Sequence, residues 1–158
     1  MSDFDIRPFA WRDVPAITAI YRHYVEETVI TFETEPPSEA VMADRFGKMQ
    51  DLKHPLLVAE RGGATIGYAY ASFYRPRAAY RFTCEDSIYL SKDAVGQGIG
   101  TALLGRLLEE SRAAGFRQML AVITAERANS IALHARHGFR EVGRYDAVGF
   151  KFDRWLDI

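Results

Sequence analysis

The sequence predicts an α/β protein in which one mixed sheet is flanked by helices. In the first half, two apolar runs on either side of a Gly62-Gly63 turn indicate an antiparallel hairpin. In the second half, helix-like and strand-like segments alternate, which is typical of α/β crossovers. The chain has 158 residues, of which 48% are hydrophobic, so it can bury a core of its own. We therefore expect a single domain over residues 1–158.

The first half is expected to contain a strand, two helices and three further strands. The first strand is Asp5–Pro8, and apolar residues then recur at helical spacing over 14–24. Ser38 is a candidate N-cap for the second helix, which we predict over about 39–52. Three apolar residues define the buried side of that helix: Val41, Phe46 and Met49. The remaining strands are predicted at 56–60, Ala64–Phe73 and about 80–90.

The second half is expected to contain two helices separated by a strand. The first helix, over about 99–114, ends at Gly115, a residue type that suits a helix C-terminus. Its apolar stripe consists of Ile99, Leu103, Leu104, Leu107 and Leu108. A buried strand is predicted over 119–124, and a short helix over 129–137 closed by Gly138. The segment 139–145 is predicted to begin the last strands.

The most informative segment is a glycine-rich loop that runs directly into the third helix. Its residues are Gly96, Gln97, Gly98, Ile99, Gly100 and Thr101. Glycines at alternate positions leave backbone N–H groups free to converge on an anion, and the helix N-terminus adds partial positive charge. Because no Lys or Arg lies inside the loop, the backbone itself would hold a phosphate or pyrophosphate. The spacing fits neither a Walker loop nor the Gly-x-Gly-x-x-Gly dinucleotide fingerprint.

Composition excludes several classes of protein. A formal net charge of −1 argues against a nucleic-acid binder, which is usually strongly basic. The single cysteine, Cys84, can form neither an internal disulfide nor a cysteine-rich metal site, and we expect no metal. No apolar run approaches the roughly 20 residues that span a bilayer, and the acidic N-terminus lacks the pattern of a signal peptide. We therefore expect a cytoplasmic protein that binds neither membranes nor nucleic acids.

The glycine loop, the strand before it and the segment 130–139 together resemble the GNAT family of N-acetyltransferases. Further motifs resemble one branch of that family, the phosphinothricin and methionine sulfone acetyltransferases. These motifs are Ile6-Arg7-Pro8, the segments 31–36 and 79–89, and the segment 149–155. The resemblance implies a central, mostly antiparallel sheet that splays at the cofactor site. It also implies acetyl transfer from acetyl-CoA to the α-amine of a small amino acid, such as phosphinothricin, methionine sulfone or methionine sulfoximine.

The resemblance further implies where acetyl-CoA binds. The glycine loop would hold its pyrophosphate, and its pantetheine arm would pair with the backbone of the preceding strand like an added strand. An amide of that strand would also stabilise the oxyanion that forms during transfer. The strand segment is Ile88, Tyr89 and Leu90, and Asn129 and Ser130 complete the expected cofactor-binding set.

Two positions near the loop depart from the family pattern. Val95 stands where the family usually has Arg or Gln, and Arg127 stands where it often has Asn. Any side-chain contact that those family residues make to the cofactor is absent here. We therefore expect this chain to rely on backbone amides, and to bind the cofactor less tightly than a variant with Val95→Arg.

Two neighbouring carboxylates are candidates for acid–base chemistry. An amine that arrives as an ammonium must lose a proton before it attacks, and a carboxylate or imidazole can accept that proton. The alternation of a strand puts Glu85 and Asp86 on opposite faces, so that one of them faces the cleft. The resemblance favours Glu85 as the base or amine-binding group, and Asp86 as a structural partner.

His134 is the second candidate catalytic residue. It lies four residues before Gly138, where many GNAT enzymes have a tyrosine that protonates the departing thiolate, and where this branch has a histidine. With an ordinary pKa of about 6.5, a histidine can give or take a proton near neutral pH. Glu85 and His134 stay alternative proton acceptors at this point.

Substrate recognition is assigned to basic and aromatic residues outside the loop. Arg75 and Arg77 flank a proline in a turn, and paired guanidiniums suit a carboxylate or a phosphinate. Phe32 is expected to line the stem of the substrate beside Glu85. The relatives are dimers, so the resemblance makes Lys151, within 149–151, a candidate contribution from the partner subunit. Exposed aromatic residues near the C-terminus would suit such a homodimer interface.

Three other functions are weighed against this one. Within the same fold, the acceptor could be a protein N-terminus or another amine, and in that case Arg75 would be dispensable. A non-catalytic acyl-CoA sensor is an alternative of a different class. A nicotinamide-dependent oxidoreductase is disfavoured by the strand-rich first half and by the absence of its glycine fingerprint.

Overall fold

The computed structural model describes residues 3–158 of the chain. The helices are α1 (Val14–Glu27), α2 (Glu39–Asp51), α3 (Ile99–Ala113) and α4 (Ala128–Arg136). The strands are β1 (Asp5–Pro8), β2 (Leu56–Arg61), β3 (Ala64–Phe73), β4 (Thr83–Leu90), β5 (Gln118–Leu120), β6 (Gly149–Lys151) and β7 (Arg154–Leu156).

The central sheet has the order β1-β2-β3-β4-β5. Its first three pairings are antiparallel, and β4 pairs with β5 in parallel. Parallel neighbours need a crossover, which α3 provides between β4 and β5. The predicted mixed, mostly antiparallel sheet flanked by helices is confirmed. A separate antiparallel hairpin, β6-β7, follows α4.

Helices cover both faces of the sheet, and alternate residues of β4 belong to different cores. On one face, α1 and α2 pack on an aromatic core that includes Tyr68 and Tyr89. On the other face, α3 packs on smaller residues of β2, β3 and β4, among them Cys84. Ile88 and Leu90 pack against this second core. Because β4 is buried from both sides, its register strictly decides which face each side chain occupies.

The sheet opens between β4 and β5. The two strands pair only from Thr83–Gln118 to Glu85–Leu120, whereas β4 continues beside β3 as far as Leu90. The backbone of β4 beyond Glu85 therefore has no strand partner on its β5 side. For the same reason, the strand predicted over 119–124 is wrong beyond Leu120, since the chain there has left its neighbour. The predicted splay is confirmed.

Three other predictions need correction. Residues Ala78–Tyr80 form a 3-10 turn, so β4 begins at Thr83 rather than near residue 80. Val41 is 45% exposed and Met42 faces the core instead, because the N-terminal turn of α2 is rotated relative to the predicted stripe. The segment 139–145 forms no strand, and the last strands lie at β6 and β7. At the end of that segment, Tyr145 exchanges two backbone hydrogen bonds with Ile158, a pairing too short to form a strand, and Val142 is 71% exposed.

The predicted ends of the helices are largely correct. The Ser38 hydroxyl accepts a hydrogen bond from the Val41 N–H and caps α2, as expected. Gly115 and Gly138 have positive φ angles just after α3 and α4, which is typical of glycines that end helices. No helix in residues 3–158 is long and apolar enough to cross a membrane.

Candidate active site

The glycine loop forms an open cradle at the N-terminus of α3. Gly96 and Gly98 have φ angles of +80° and +81°, in the left-handed region that other residues rarely adopt. A Cβ built at either position meets no atom within 4 Å among the described residues. Gly98 is the N-cap of α3, and no side chain in residues 3–158 caps the helix. Its first amides are therefore free for an anion, so the cradle fits the pyrophosphate of acetyl-CoA.

Gln97 belongs to the cradle, but its side chain is held by two hydrogen bonds. Its side-chain carbonyl accepts a hydrogen bond from Arg61 at 2.8 Å, and its amide donates to the backbone carbonyl of Asp93. Arg61 also donates to Asp3 at 2.9 Å. A guanidinium from the end of β2 thus braces the loop from outside. Sequence reasoning missed Arg61 because it lies 36 positions before Gln97.

The unpaired edge of β4 begins a few residues before the cradle. Ile88, Tyr89 and Leu90 pair with β3 on one side and have no strand on the other. At Leu90, both backbone groups bond to the side chain of Tyr24 on α1. An edge of this kind can accept an extended ligand that adds main-chain hydrogen bonds.

The remaining cofactor-binding candidates lie in the first turn of α4. Asn129 is exposed, and Ser130 is half-buried with its backbone N–H bonded to the Arg127 carbonyl. The side chain of Arg127 is exposed, and its charge acts on the hydroxyl of Tyr24. Val95, at the entrance of the glycine loop, is 58% exposed. The two positions that depart from the family pattern are both accessible from solvent.

His134 and Asp86 form a buried pair across 48 positions of the chain. The Nε2 atom of His134 lies 2.8 Å from Asp86 Oδ2, and its Nδ1 atom lies 2.7 Å from the Ser130 carbonyl oxygen. A carbonyl only accepts, so Nδ1 carries a hydrogen; an ionised Asp86 requires one on Nε2 as well. Burial by itself lowers the pKa of His134, but the hydrogen bond and charge of Asp86 outweigh it and raise that pKa. The geometry therefore favours an imidazolium paired with a carboxylate.

Glu85 has very different surroundings from Asp86. It is half-buried on the face of the sheet that α1 and α2 cover, and no described residue donates a hydrogen bond to its carboxylate. Burial, followed by the negative charge of Asp86, raises the pKa of Glu85. Its charge acts on Tyr70, as do the charges of Arg45 and Glu33 from the neighbouring helix and loop. Glu85 is an available carboxylate with an increased affinity for a proton.

The loop between α1 and α2 is rigidly held at Thr31 and Glu33. The Tyr21 hydroxyl lies 2.8 Å from the Thr31 hydroxyl and donates to Glu33 at 2.9 Å. Both guanidinium NH2 groups of Arg45 also donate to the Glu33 carboxylate. Although burial opposes it, this pairing with Arg45 and Tyr21 lowers the pKa of Glu33. Glu33 is consequently committed to structure, and the loop presents the intervening residue, Phe32.

The Phe32 loop packs against β6 of the same chain, the strand that carries Lys151. The Phe32 ring packs so closely on Gly149 that a Cβ there would overlap it. Lys151, two residues further along β6, donates to the Thr31 carbonyl at 2.8 Å and is buried. Burial lowers the pKa of Lys151, against the opposing charge of Glu33. The structure thus places Lys151 beside the Phe32 loop of its own chain rather than on an open surface.

Arg75 and Arg77 lie in the turn between β3 and β4, just before the strand that carries Glu85. The Arg75 guanidinium stacks over the rings of Tyr74 and Tyr80, at 5.0 and 5.8 Å from their centroids. Cation–π contacts of this kind orient a guanidinium and leave its N–H groups free. Arg77 is exposed, and its backbone carbonyl accepts from Tyr80. Both cations are available to an anion.

Cys84 has no environment for nucleophilic chemistry. It is buried in the core beneath α3, and burial raises the pKa of its thiol to about 11. A thiol in this state carries almost no thiolate near neutral pH. Among residues 3–158, no three or more His, Cys, Asp or Glu side chains are arranged to hold a metal ion.

The structure distributes the predicted site residues along β4. Glu85 is the last residue that pairs with β5, and the turn of Arg75 and Arg77 precedes the strand, whereas the glycine loop follows the end where the sheet is open. Glu85 and the Phe32 loop lie on the α1 and α2 side, while His134 and the glycine loop lie on the side of α3 and α4. Two further residues, Asp86 and Tyr24, have contacts that spacing in the sequence does not reveal. The resemblance indicated Asp86 as a structural partner without pointing to His134, and nothing in the pattern of α1 distinguishes Tyr24.

Comparison with known proteins agrees with this architecture. The acetyltransferase (GNAT) family model matches residues 17–139, most of the chain. The chain therefore belongs to the GNAT acetyltransferase family, and it is an acetyl-CoA-dependent N-acetyltransferase. The match includes β4, the glycine loop, α3 and α4, the elements that form the cradle.

Individual relatives are named for closely related activities. The chain is 48% identical to phosphinothricin N-acetyltransferase of Alcaligenes faecalis over 92% of this chain and 74% of that protein. It is 38% identical to the L-methionine sulfoximine/L-methionine sulfone acetyltransferase of Pseudomonas aeruginosa, over 97% and 90% of the two chains. A crystal structure of phosphinothricin acetyltransferase from Sinorhizobium meliloti with AcCoA has a TM-score of 0.95 and 50% identity. That alignment covers 99% of this chain and 85% of the other.

Proposed function

We propose that the chain transfers the acetyl group of acetyl-CoA to the α-amine of a small amino acid of the phosphinothricin, methionine sulfone or methionine sulfoximine type. The observation that carries this proposal is the position of Glu85. Its carboxylate, to which no residue of 3–158 donates a hydrogen bond, belongs to the third residue of β4, and the turn before β4 carries the exposed guanidiniums of Arg75 and Arg77. A base beside an anion-binding pair suits an amino acid, in which an amine and a carboxylate are neighbours.

Glu85 is the proposed base. The acceptor amine arrives mostly as an ammonium and must lose its proton before its lone pair attacks the acetyl carbonyl. The raised pKa of Glu85 makes its carboxylate a better proton acceptor than an ordinary glutamate. The backbone edge of Ile88 to Leu90, which has no strand partner on its β5 side, and the amides of Gly98 to Thr101 are proposed to bind the cofactor.

His134 is proposed to act from the cofactor side as a charged group. Both of its ring nitrogens are bonded, one to Asp86 and one to the Ser130 carbonyl. An imidazolium fixed in this way stabilises negative charge that develops on the departing sulfur, and it holds a proton at Nε2. An imidazolium with a hydrogen on both nitrogens has no lone pair left to accept a proton, so the geometry favours Glu85 over His134 as the acceptor of the amine proton.

Arg75, Arg77 and Phe32 are proposed to bind the acceptor. The stacked guanidinium of Arg75 would pair with the carboxylate, assisted by Arg77, while Phe32 borders the methylene stem. Lys151 is proposed to contribute indirectly, by anchoring the Phe32 loop through the Thr31 carbonyl and adding positive charge near Glu33. Acetyl-CoA from the cytoplasm would be the acetyl donor.

A homodimer is proposed from the surface of the β6-β7 hairpin. Phe150, Phe152 and Trp155 are all more than half exposed, and the Phe150 and Trp155 rings contact one another at 5.1 Å. An exposed aromatic cluster beside the Phe32 loop is typical of an interface core. Sedimentation analysis of the wild type and of a Phe150→Ser, Trp155→Ser variant tests it. A wild-type monomer would contradict the dimer.

The function is tested by measuring thiol release from acetyl-CoA with a panel of acceptors. We expect turnover with phosphinothricin, methionine sulfone and methionine sulfoximine, and little with their α-amides, which lack the carboxylate. Peptides whose N-terminal residue is alanine or serine serve as the competing class. Activity confined to peptides would contradict the amino-acid acceptor, and coenzyme A binding without any turnover would indicate a sensor.

A further inference from the structure

Tyr24 makes an unusual contact with the open edge of β4. Its hydroxyl donates to the backbone carbonyl of Leu90 at 2.8 Å and accepts from the backbone N–H of Leu90 at 3.2 Å. One side-chain atom therefore satisfies both polar groups of a residue that has no strand partner on that side. A neighbouring strand would satisfy the same two groups with its own N–H and C=O.

A tyrosine hydroxyl is suited to this position because it donates and accepts at once. Burial raises the pKa of Tyr24, against the opposing effect of the Leu90 backbone, so the hydroxyl keeps its hydrogen. The side chain is only 9% exposed, and its ring packs edge-on against Tyr89 at 5.1 Å. The hydroxyl is thus a built part of the edge rather than a mobile surface group.

We propose that the Tyr24 hydroxyl is a placeholder for the pantetheine arm: it satisfies the Leu90 N–H and C=O in the free protein and gives them up when the arm binds. The proposal rests on the proposed function, in which the arm pairs with the backbone of Ile88 to Leu90. Two partners cannot use the same pair of backbone groups in full. The hydroxyl and the arm therefore compete.

Competition between the Tyr24 hydroxyl and the arm predicts the direction in which the affinity for coenzyme A changes. Hydrogen bonds that exist only in the free protein stabilise that state and lower the apparent affinity for the ligand that replaces them. Tyr24→Phe removes these bonds from the free protein and nothing from the complex. We expect the variant to bind coenzyme A about three- to tenfold more tightly, the range given by one net intramolecular hydrogen bond. A hydroxyl that instead bonds to the arm would change the affinity in the opposite direction.

The experiment compares wild type, Tyr24→Phe and a control, Tyr68→Phe, by isothermal titration. Tyr68 belongs to the same aromatic cluster, but its buried hydroxyl has no partner among residues 3–158. The ligands are coenzyme A and adenosine 3′,5′-bisphosphate, which lacks the pantetheine arm. We expect tighter coenzyme A binding only in Tyr24→Phe, and no change for the bisphosphate in any protein. Equal or weaker coenzyme A binding in Tyr24→Phe would overturn the proposal.

Stability and spectroscopy provide independent readouts. Free Tyr24→Phe is expected to unfold at a lower temperature than wild type, with a smaller difference in saturating coenzyme A. In wild type, the Cζ carbon resonance of Tyr24, which reports hydrogen bonding of the hydroxyl, should shift with coenzyme A and not with the bisphosphate. A resonance unmoved by coenzyme A would also overturn the proposal. Failure of wild type to bind coenzyme A would instead contradict the proposed function.

Discussion

Glu85 and Asp86 are consecutive residues of β4, yet their carboxylates have opposite surroundings. Glu85 lies half-buried on the side of α1 and α2, and no described residue donates a hydrogen bond to it. Asp86 is buried on the side of α3 and α4, 2.8 Å from the ring of His134. Because side chains alternate along β4, the carboxylate of Glu85 is available to a substrate, whereas that of Asp86 is bonded to His134.

This difference shows how a single strand divides two tasks. A base needs an accessible lone pair and a raised pKa, which Glu85 has. A group that fixes a charge needs burial and a bonded partner, which Asp86 has in His134. Variants on the Glu85 side should therefore change the handling of the acceptor amine, whereas variants on the other side should change cofactor binding or the state of His134.

The largest expected effect is that of Glu85→Gln. Removing a general base typically lowers turnover by about 10²–10⁴-fold, and the amide cannot accept the amine proton. Coenzyme A affinity should stay unchanged, because the carboxylate lies on the acceptor side. Steady-state kinetics and coenzyme A titration measure the two quantities, with Glu109→Gln on the exposed side of α3 as control. Turnover within threefold of wild type would assign the proton to another group.

Arg75→Ala is expected to act on the acceptor alone. Loss of a guanidinium that pairs with a carboxylate should raise KM for the amino acid about ten- to a hundredfold. KM for acetyl-CoA should change less than twofold. Arg81→Ala is the matched control, since Arg81 lies in the same turn but stacks over Phe82 at 4.4 Å. Equal losses in both variants would mean that the turn contributes general charge and no specific contact.

Asp86→Asn should lower stability in a pH-dependent way. The folded pKa of His134 is raised above its ordinary value of 6.5, so its pairing with Asp86 stabilises the fold fully below pH 6.5. That contribution disappears as the pH rises through the folded pKa. We expect a loss of about 1–2 kcal/mol in the free energy of unfolding at low pH, and a smaller loss above the folded pKa. Urea unfolding across pH 5.5–9 measures it; a pH-independent loss would contradict the charged pair.

Local spacing was sufficient to predict most of the fold. Helical periodicity located α1 and α3, and apolar runs beside turn residues located β2 and β3. Local spacing failed to predict the strands correctly where a strand forms only if a neighbouring strand can pair with it. The segment 121–124 is apolar enough for a strand, but the sheet has already opened there, and the segment 139–145 pairs with Ile158 at Tyr145 without forming a strand. Pairing partners are a tertiary property that a single apolar run does not contain.

The same limit applies to the site. The glycine loop could be found from sequence because its residues are consecutive, and alternation separated Glu85 from Asp86. The pair of Asp86 with His134 spans 48 positions, and the contact of Tyr24 with Leu90 spans 66. Such contacts depend on how helices dock on the sheet. Lys151, a candidate contribution from a partner subunit, donates a hydrogen bond to Thr31 of its own chain across 120 positions, which its spacing does not reveal either.

Val95→Arg is expected to have a small effect confined to the cofactor side. Val95 is 58% exposed at the entrance of the glycine loop, and its backbone conformation is extended, so arginine fits there without strain. A solvent-exposed charge pair contributes about 0.2–1 kcal/mol, which corresponds to at most about fivefold tighter coenzyme A binding. The gain should diminish with salt, and KM for the amino acid should not change. Equal or weaker affinity would contradict the view that backbone amides alone hold the pyrophosphate.

The smallest expected effect tests whether the two carboxylates are independent. The negative charge of Asp86 is one cause of the raised pKa of Glu85, after burial. Asp86→Asn removes that charge, so Glu85 should ionise at a lower pH, and the acidic limb of kcat/KM should move to lower pH. The contribution of Glu85 to the stability of the fold has the opposite sign to that of the pair of His134 and Asp86. Because the pKa of Glu85 is raised, the fold loses stability as the pH rises from the ordinary glutamate pKa to the folded pKa. A pH–rate profile of the variant measures the shift. An unmoved limb would mean that burial alone sets the Glu85 pKa, and that the two faces of β4 act separately.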